Sequence, residues 1–342
     1  MRTSDFDYIL PEGQIAQCPI EPRDSSRLLM LDRNSGKIKH RLFRDLPQFL
    51  YPGDILIMND SRVIPARLFT RKIATGGNIE LLLLRRDASG AWEALIKPAR
   101  RVLSGSQLEV TDASGAPTGI TVEILKRLEE GIHTVRVSDE TALSKYGQTP
   151  LPPYIHQPLT QPERYQTVYA RENGSAAAPT AGLHFTPRLL DEIAEKGIRC
   201  HYITLHIGLD TFRPVKVENP AEHPIHREYA VLDQSTVDAI NNAKENGGRV
   251  VCVGTSAVRT LEYAARQSDN LKPFHGWVEL LILPGFDFKV TDVLITNFHL
   301  PRSTPLLLAS AFSGWDKLKP AYKEAITENY RFYSFGDAML IL

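Results

Sequence analysis

The feature that most constrains the fold is a short run of residues that would be buried on both faces of a strand. Residues 55–58 read Ile-Leu-Ile-Met, follow a Pro-Gly-Asp turn at 52–54, and lead into the polar sequence 59–62. A strand that is apolar on both faces must be covered on both sides, as in the sheets of layered α/β domains. Ligand-binding loops commonly follow the carboxyl ends of such strands. The run therefore predicts a layered α/β domain with candidate ligand-binding residues at 59–62, although an ordinary polar turn fits equally well.

The second half of the chain alternates between helix and strand signals. Thr186 supplies a capping hydroxyl, Pro187 suits the first helical position, and Gly197 predicts the end of that helix. The elements predicted after it are a strand at 198–207, a helix at 235–245, a strand at 249–253, a helix near Ala257 and a last strand at 338–342. This alternation is typical of a layered α/β domain.

The middle of the chain has a different residue pattern, with short β-rich runs separated by Gly, Ser and Asp turns. The runs are 79–84, 92–96, 121–124 and 134–137. Their spacing is that of a small β-barrel or sandwich. A proline-rich stretch at 150–164 then predicts a crossover. We therefore predict a main domain formed by residues 1–62 and 151–342, and an inserted small antiparallel β-barrel domain at 63–150.

Composition narrows the class of protein but does not identify it. The 342 residues carry 40 basic and 40 acidic side chains, so net charge gives no sign of nucleic-acid binding. Three scattered cysteines fit a reducing compartment, and neither a secretion signal nor an apolar run of membrane-spanning length is present. We expect a soluble cytoplasmic protein in which any RNA contact uses a local patch. The best patch is basic and consists of Arg85, Arg86, Lys97, Arg100 and Arg101.

Two further polar loops carry an imidazole beside small residues and hydroxyls. The loops span 178–185 and 206–212 and contain His184 and His206. Small residues let a ligand approach the backbone, and a histidine can act as an acid or base near neutral pH. A lone histidine is more often structural. The similarity of the two loops favours a chemical role for both.

The loop at 254–259 joins a strand to a helix, where free backbone N–H groups and hydroxyls can hold an anionic group. It lacks the glycines and lysine of a P-loop, and no dinucleotide fingerprint occurs elsewhere. A hydroxyl N-cap is the structural alternative. Metal binding by His223, His226 and Glu228 is disfavoured, because Pro224 interrupts any regular helix there.

Taken together, these loops resemble the S-adenosylmethionine:tRNA ribosyltransferase-isomerase family of queuosine biosynthesis. The similarity extends over nearly the whole chain, in the strings 52–54, 59–62, 151–155, 178–186, 206–215, 255–259, 284–285, 294–301 and 330–341. The resemblance implies a transferase and isomerase that uses S-adenosylmethionine as a ribosyl donor. The implied acceptor is 7-aminomethyl-7-deazaguanine at the tRNA wobble position, and the implied products are epoxyqueuosine in tRNA, adenine and methionine.

The resemblance also suggests where the chemistry would lie. His184 and His206 are the candidates for proton transfer. The candidate substrate-binding residues are Asn59, Asp60, Ser61, Arg62, Thr180, Gly182, Phe185, Gly208, Thr211, Thr255, Ser256, Arg259, Asn297 and His299. We expect no cofactor beyond S-adenosylmethionine as co-substrate, no metal, no membrane, a monomer, and the tRNA anticodon stem-loop as partner.

Three strings depart from the family pattern. Asp210 stands where the family has glycine, Ser256-Ala257 replaces a Thr-Ser pair, and Tyr229 replaces tryptophan. Two other functions stay open on the sequence: a non-catalytic tRNA-binding protein, and an S-adenosylmethionine-dependent RNA methyltransferase. The glycine-rich first βα turn usual in methyltransferases is absent near any early strand.

Overall fold

The fold is that of a computed structural model, which describes residues 1–86, 89–128, 131–208, 214–225 and 227–342. It separates into two compact units. The larger unit comprises Met1–Arg62, Pro152–Glu172 and Ala178–Leu342, and the smaller comprises Val63–Leu151 and Asn173–Ala177. No helix in the described ranges combines the length and apolarity needed to cross a membrane.

The regular elements within the described ranges are strands and short helices. The strands are β1 (Arg27–Leu31), β2 (Ile38–Leu42), β3 (Ile55–Asn59), β4 (Ser61–Val63), β5 (Arg67–Lys72), β6 (Asn78–Arg86), β7 (Trp92–Lys97), β8 (Gln107–Thr111), β9 (Pro117–Arg127), β10 (Ile132–Val137), β11 (Glu172–Ser175), β12 (Arg199–Leu205), β13 (Glu228–Leu232), β14 (Val250–Val253), β15 (Phe274–Val278), β16 (Val293–Asn297) and β17 (Ala338–Ile341). The α-helices are α1 (Thr141–Tyr146), α2 (Pro187–Glu195), α3 (Gln234–Glu245), α4 (Thr255–Ala264), α5 (Thr304–Ser313) and α6 (Trp315–Thr327). Short 3-10 helices include Phe43–Phe49 and Thr180–His184.

The larger unit is built on a nine-stranded sheet in the order β15-β13-β12-β3-β14-β16-β17-β1-β2. Strands β12, β3, β14 and β16 are mutually parallel, and antiparallel strands flank them. Every residue of β3 is buried, as the two-sided apolar run predicted. Because the four central strands are parallel, their carboxyl ends meet at one edge of the sheet. Asn59, Leu205, Val253 and Asn297 mark that edge.

The core of this unit joins the sheet to helices on its face. Leu56, Phe185, Leu189 and Val253 belong to one cluster of buried apolar side chains. Helix α2 enters this cluster through the predicted cap, because Thr186 Oγ1 accepts a hydrogen bond from the Leu189 N–H at 3.2 Å. Gly197 follows with φ of 77°, a conformation that favours glycine and ends the helix.

The smaller unit contains a closed barrel of six antiparallel strands in the order β10-β7-β6-β5-β8-β9. Side chains such as Leu81, Ala94 and Val110 fill it and are fully buried. Closure removes the unpaired edges that a sandwich would leave. The predicted fold class, a layered α/β domain with a small inserted β-barrel, is therefore confirmed.

Candidate active site

A cavity of about 910 Å³, including the part open to solvent, lies in the larger unit beside the carboxyl ends of β14 and β16. This volume is in the range of small-molecule sites. Six predicted substrate-binding residues line it: Thr180, Thr255, Ser256, Arg259, Asn297 and His299. Sequence positions more than a hundred residues apart are thus brought to one place.

Helix α4 begins at this cavity. Its N-cap is Gly254, whose φ of 89° lies in the region that glycine favours, and no side chain caps the helix. The hydroxyl N-cap considered from the sequence is therefore wrong, because Thr255 and Ser256 lie within the first turn. The first backbone N–H groups of α4 have no helical acceptor and form a partly positive end. This end is suited to an anionic or carboxylate group.

Arg259 adds a positive charge beside the start of α4. Its Nη1 donates to the Glu228 carboxylate, and its Nε donates to the Leu280 carbonyl at 3.2 Å. Its Nη2 is buried and has no hydrogen-bond partner among the described residues. A buried guanidinium N–H without a partner is costly, so this group is ready to bind an acceptor.

Glu228 is a site residue to which the sequence analysis gave no binding role. One carboxylate oxygen pairs with Arg259, and the other accepts from the Gly208 N–H at 2.9 Å. Glu228 thereby connects the end of β12 to α4. The sequence does carry a signal for this role. Glu228 precedes the buried Ala230 and Leu232 by two and four residues in β13, so its acidic side chain points to the same inward face of the strand.

Tyr154 and Tyr333 form an aromatic wall of the same cavity. Their ring centroids lie 4.8 Å apart with an interplanar angle of 54°. Tyr333 has φ of 70°, which is uncommon for a residue other than glycine and is enriched at functional sites. Both residues fall within strings that carry the family resemblance, yet the sequence gave no role to either.

A chain of side-chain hydrogen bonds connects the core to the cavity wall. Ser26 Oγ contacts His184 Nδ1 at 2.7 Å, and His184 Nε2 contacts Asn297 Nδ2 at 3.2 Å. Thr180 Oγ1 then donates to Asn297 Oδ1 at 2.9 Å. Asn297 and Thr180 line the cavity, whereas His184 lies one layer behind them. The order of contacts makes His184 an indirect neighbour of anything bound there.

His184 is 4% exposed and stacks on Phe43 with ring centroids 4.9 Å apart. Burial, reinforced by the Arg331 and Arg23 charges, lowers the pKa of His184 to about 3. The ring is therefore neutral near pH 7. Because Asn297 donates to Nε2, the proton of the neutral ring lies on Nδ1 and points to Ser26.

His299 has a different environment, because it lines the cavity itself. Its Nε2 lies 2.7 Å from Thr296 Oγ1. Its backbone is fixed by two tyrosines: the N–H donates to Tyr322 Oη at 2.9 Å, and the carbonyl accepts from Tyr8 Oη. Burial lowers the pKa of His299 to about 3, so this ring is also neutral near pH 7.

His206 does not line the cavity, although the next residue, Ile207, does. Successive strand side chains point to opposite faces, and His206 directly follows β12. Its backbone N–H donates to the Tyr229 carbonyl at 3.0 Å, and its Nδ1 is buried without a partner among the described residues. Burial lowers the pKa of His206, with partial opposition from the Asp60 and Glu172 carboxylates.

The loop at 59–62 lies outside the cavity, and its hydrogen bonds are internal to the fold. Asn59 donates from Nδ2 to the Leu205 carbonyl at 2.9 Å and to Ser256 Oγ at 3.2 Å. The Asp60 carboxylate, 1% exposed, accepts from Arg171 and from Thr204, both through side-chain groups.

The other two residues of that loop also lie away from the cavity. Ser61 is fully buried and its Oγ has no hydrogen-bond partner among the described residues, and the Arg62 guanidinium pairs with Glu163. Asn59 alone reaches a residue of the cavity wall, through its contact with Ser256.

Three more of the predicted binding residues, Gly182, Phe185 and Gly208, are also outside the cavity. A Cβ atom at Gly182 would lie 2.0 Å from Tyr169 Oη, so packing explains the glycine. Phe185 is fully buried in the core. Gly208 binds Glu228 as described. Thr211 lies outside the described residues, as does Asp210, one of the three departures from the family pattern.

The predicted basic patch divides into paired and unpaired members within the smaller unit. Arg85 binds Glu93 with an Nε–Oε2 distance of 2.9 Å, and the Arg86 guanidinium pairs with Glu140. Lys97, Arg100 and Arg101 are exposed, and no ion pair is formed by them with other described residues. Within the described ranges no three His, Cys, Asp or Glu side chains are grouped as metal ligands would be.

The fold and the cavity define a two-unit α/β protein with a cavity of small-molecule size at the carboxyl edge of its main sheet. The model of the queuosine biosynthesis protein family matches residues 3–341. The chain is 58% identical to the S-adenosylmethionine:tRNA ribosyltransferase-isomerase of Dehalococcoides mccartyi (strain CBDB1), with 100% of both chains covered. It is 50% identical to the enzyme of the same name from Clostridioides difficile (strain 630), also over 100% of both chains.

A solved structure is similar as well. The crystal structure of S-adenosylmethionine tRNA ribosyltransferase from Thermotoga maritima has a TM-score of 0.58 and 38% identity, and the match covers 99% of this chain and 100% of that one. This chain belongs to the queuosine biosynthesis protein family. The predicted family and the predicted enzyme class are thereby confirmed.

Proposed function

We propose that the chain transfers and isomerises the ribosyl moiety of S-adenosylmethionine onto 7-aminomethyl-7-deazaguanine at the wobble position of tRNA. The products are epoxyqueuosine in tRNA, adenine and methionine. The protein acts as a cytoplasmic monomer on the anticodon stem-loop, with S-adenosylmethionine as its only co-substrate and without a metal. The cavity at the start of α4 is the S-adenosylmethionine site.

The observation that carries this proposal is the pairing of unsatisfied positive groups with an aromatic wall in one cavity. The methionine carboxylate binds the Arg259 Nη2 and the first N–H groups of α4. The sulfonium faces Tyr154 and Tyr333, since aromatic faces attract cations. Thr180, Thr255 and Ser256 supply hydroxyls for the ribose.

The chemistry follows from the positive sulfur. The sulfonium acidifies the neighbouring 5′ carbon, so a base can remove its proton. The electron pair left on that carbon breaks the bond between C4′ and the ring oxygen, and the ring oxygen forms a carbonyl at C1′ as adenine leaves and takes up a proton. The acceptor amine then adds to C4′ and loses a proton, which returns an electron pair to the 5′ carbon. The 5′ carbon forms a bond to C1′ and closes a five-membered carbocycle, and the oxygen on C1′ then displaces sulfur from the 5′ carbon, so that the epoxide closes and neutral methionine leaves. The sequence of steps needs a proton acceptor and a water-poor cavity, and no oxidant or reductant.

The test is a product analysis with defined tRNA. Purified protein is incubated with S-adenosylmethionine and tRNA that carries 7-aminomethyl-7-deazaguanine at the wobble position. We expect free adenine and methionine in equal amounts, together with a wobble nucleoside of the mass of epoxyqueuosine. The same tRNA with guanine at that position is the control and should release no adenine. S-adenosylhomocysteine as product would instead indicate a methyltransferase, and tRNA binding without adenine release would indicate a non-catalytic protein.

A further inference from the structure

The proposed reaction needs a proton acceptor that reaches the bound ribose, so that group must line the cavity. His299 is the histidine that does so among the residues that the structure describes. His184 lies behind Asn297, and His206 lies outside the cavity wall. Of these three histidines, His299 is therefore the one placed to contact a bound ribose.

The hydrogen bonds of His184 leave it no free ring nitrogen. Nδ1 is bound to Ser26 Oγ and Nε2 to Asn297 Nδ2. To accept a proton from substrate, His184 would have to release Asn297, which in turn holds Thr180. Its geometry is that of a residue that orients the cavity wall, because the orientation of the Asn297 amide decides which of its atoms meets Thr180.

His299 has one bound and one free ring nitrogen. Nε2 is fixed by Thr296 Oγ1, which also lines the cavity. Nδ1 has no hydrogen-bond partner among the described residues and is not sealed from solvent. Burial, which lowers the pKa of His299 to about 3, keeps this ring neutral near pH 7, so with the Nε2 proton directed to Thr296 the Nδ1 lone pair carries no proton and can accept one transiently. The two tyrosines that bind the His299 backbone keep this ring in place.

We propose that His299 is the proton-transfer residue of the cavity and that His184 is a positioning residue that acts through Asn297. This inference rests on the proposed function, because it names the group that performs one step of that reaction. It gives His184 a role different from the one predicted by the sequence. It gives His299 a chemical role in addition to substrate binding.

The test compares glutamine variants, because glutamine can replace Nε2 in a hydrogen bond but cannot transfer a proton near pH 7. His299→Gln keeps a partner for Thr296. It should lower kcat for adenine release by about 100-fold or more, the usual contribution of a general acid or base, while the KM for S-adenosylmethionine changes little. His184→Gln keeps an acceptor for Asn297 and should retain kcat within about fivefold, an effect of roughly one hydrogen bond. His184→Ala removes that acceptor, so its main effect should be a raised KM that His184→Gln restores.

The possible results distinguish a failure of the proposed function from a failure of this inference alone. Wild-type protein that releases no adenine from the modified tRNA would overturn the proposed function and this inference with it. Wild-type activity with near-normal kcat in His299→Gln, or with a 100-fold loss in His184→Gln, would overturn this inference alone. Thermal unfolding of each variant checks that it folds. If His299→Gln does not fold, Thr296→Val replaces it: a lowered kcat supports the inference, and wild-type kcat overturns it.

Discussion

Two polar loops follow adjacent parallel strands of the same sheet, yet only one of them lines the cavity. Residues 59–62 run from the last residue of β3 into β4, residues 254–259 run from the end of β14 into α4, and both sequences combine hydroxyls with an arginine. Asn59 and Asp60 are buried, and their side-chain polar groups are bound within the protein. Arg259, in contrast, has a buried Nη2 to which none of the described residues is hydrogen-bonded, beside the start of α4. Ser61 Oγ is also buried without a partner among the described residues, but it does not line the cavity, so an unused polar group at a strand end indicates a ligand site only where it lies at a cavity.

The largest effect expected from this comparison concerns Phe185, which the sequence placed among the binding residues and the structure places in the core. Phe185→Ala should lower the free energy of unfolding by roughly 3–5 kcal/mol, the usual cost of removing a buried aromatic ring. Chemical denaturation measures it. The exposed Phe69 is the control, and Phe69→Ala should change stability by less than about 1 kcal/mol. Equal losses in the two variants would contradict the core assignment.

Arg259→Met should produce the next largest effect, now on substrate. It removes charged hydrogen bonds worth about 1.5–3 kcal/mol, so kcat/KM for S-adenosylmethionine should fall by about 100-fold. Arg266→Met is a matched control, because Arg266 also pairs with a buried glutamate, Glu262, but does not line the cavity. Both variants should lose stability, and only Arg259→Met should raise the KM. A raised KM in both would show that the effect comes from stability.

The pH dependence of stability tests the buried state of His184. Its pKa is about 3 in the folded protein and about 6.5 when exposed, so the unfolded chain binds the extra proton between these values. Stability contributed by the neutral ring is complete above pH 6.5 and is lost as pH falls, by roughly 1.4 kcal/mol per pH unit. Denaturation at pH 7, 6 and 5 should show a shallower loss in His184→Gln than in wild type. Identical slopes would mean that folding does not lower the pKa of His184.

The smallest effect is expected from the basic patch of the barrel. Replacing the unpaired Lys97, Arg100 and Arg101 by serine should weaken tRNA binding and lower its salt dependence, by roughly 0.7–0.9 in log–log slope for each phosphate that the protein no longer neutralises. Arg136, which pairs with Glu123 on the same barrel, is the control. Arg136→Ser should leave the slope unchanged. An unchanged slope in the triple variant would exclude the patch from RNA binding.

The features that could be predicted from the sequence are those that depend on local patterns. The two-sided apolar strand at 55–58 and the capped helix after Thr186 were predictable because hydrophobic pattern and capping chemistry are local. Strands β5 and β8 were not predicted, because polar and charged side chains are interspersed among the buried residues of Arg67–Lys72 and Gln107–Thr111.

The site was predictable only in part. Thr180, Asn297 and Arg259 were named, but whether a polar side chain faces a cavity or a partner depends on contacts between distant segments. The hydrogen bond between Ser26 and His184, 158 residues apart, is of that kind. Such partners leave no local pattern, so the sequence could not separate His184 from His299.

The position of the proposed S-adenosylmethionine site is tested most directly by the structure of the protein with this ligand bound. We expect the ligand to occupy the cavity at the start of α4, with its carboxylate bound to Arg259 Nη2 and its ribose next to His299. S-adenosylmethionine bound at residues 59–62, or anywhere that leaves Arg259 and His299 without contact to it, would contradict this position of the site.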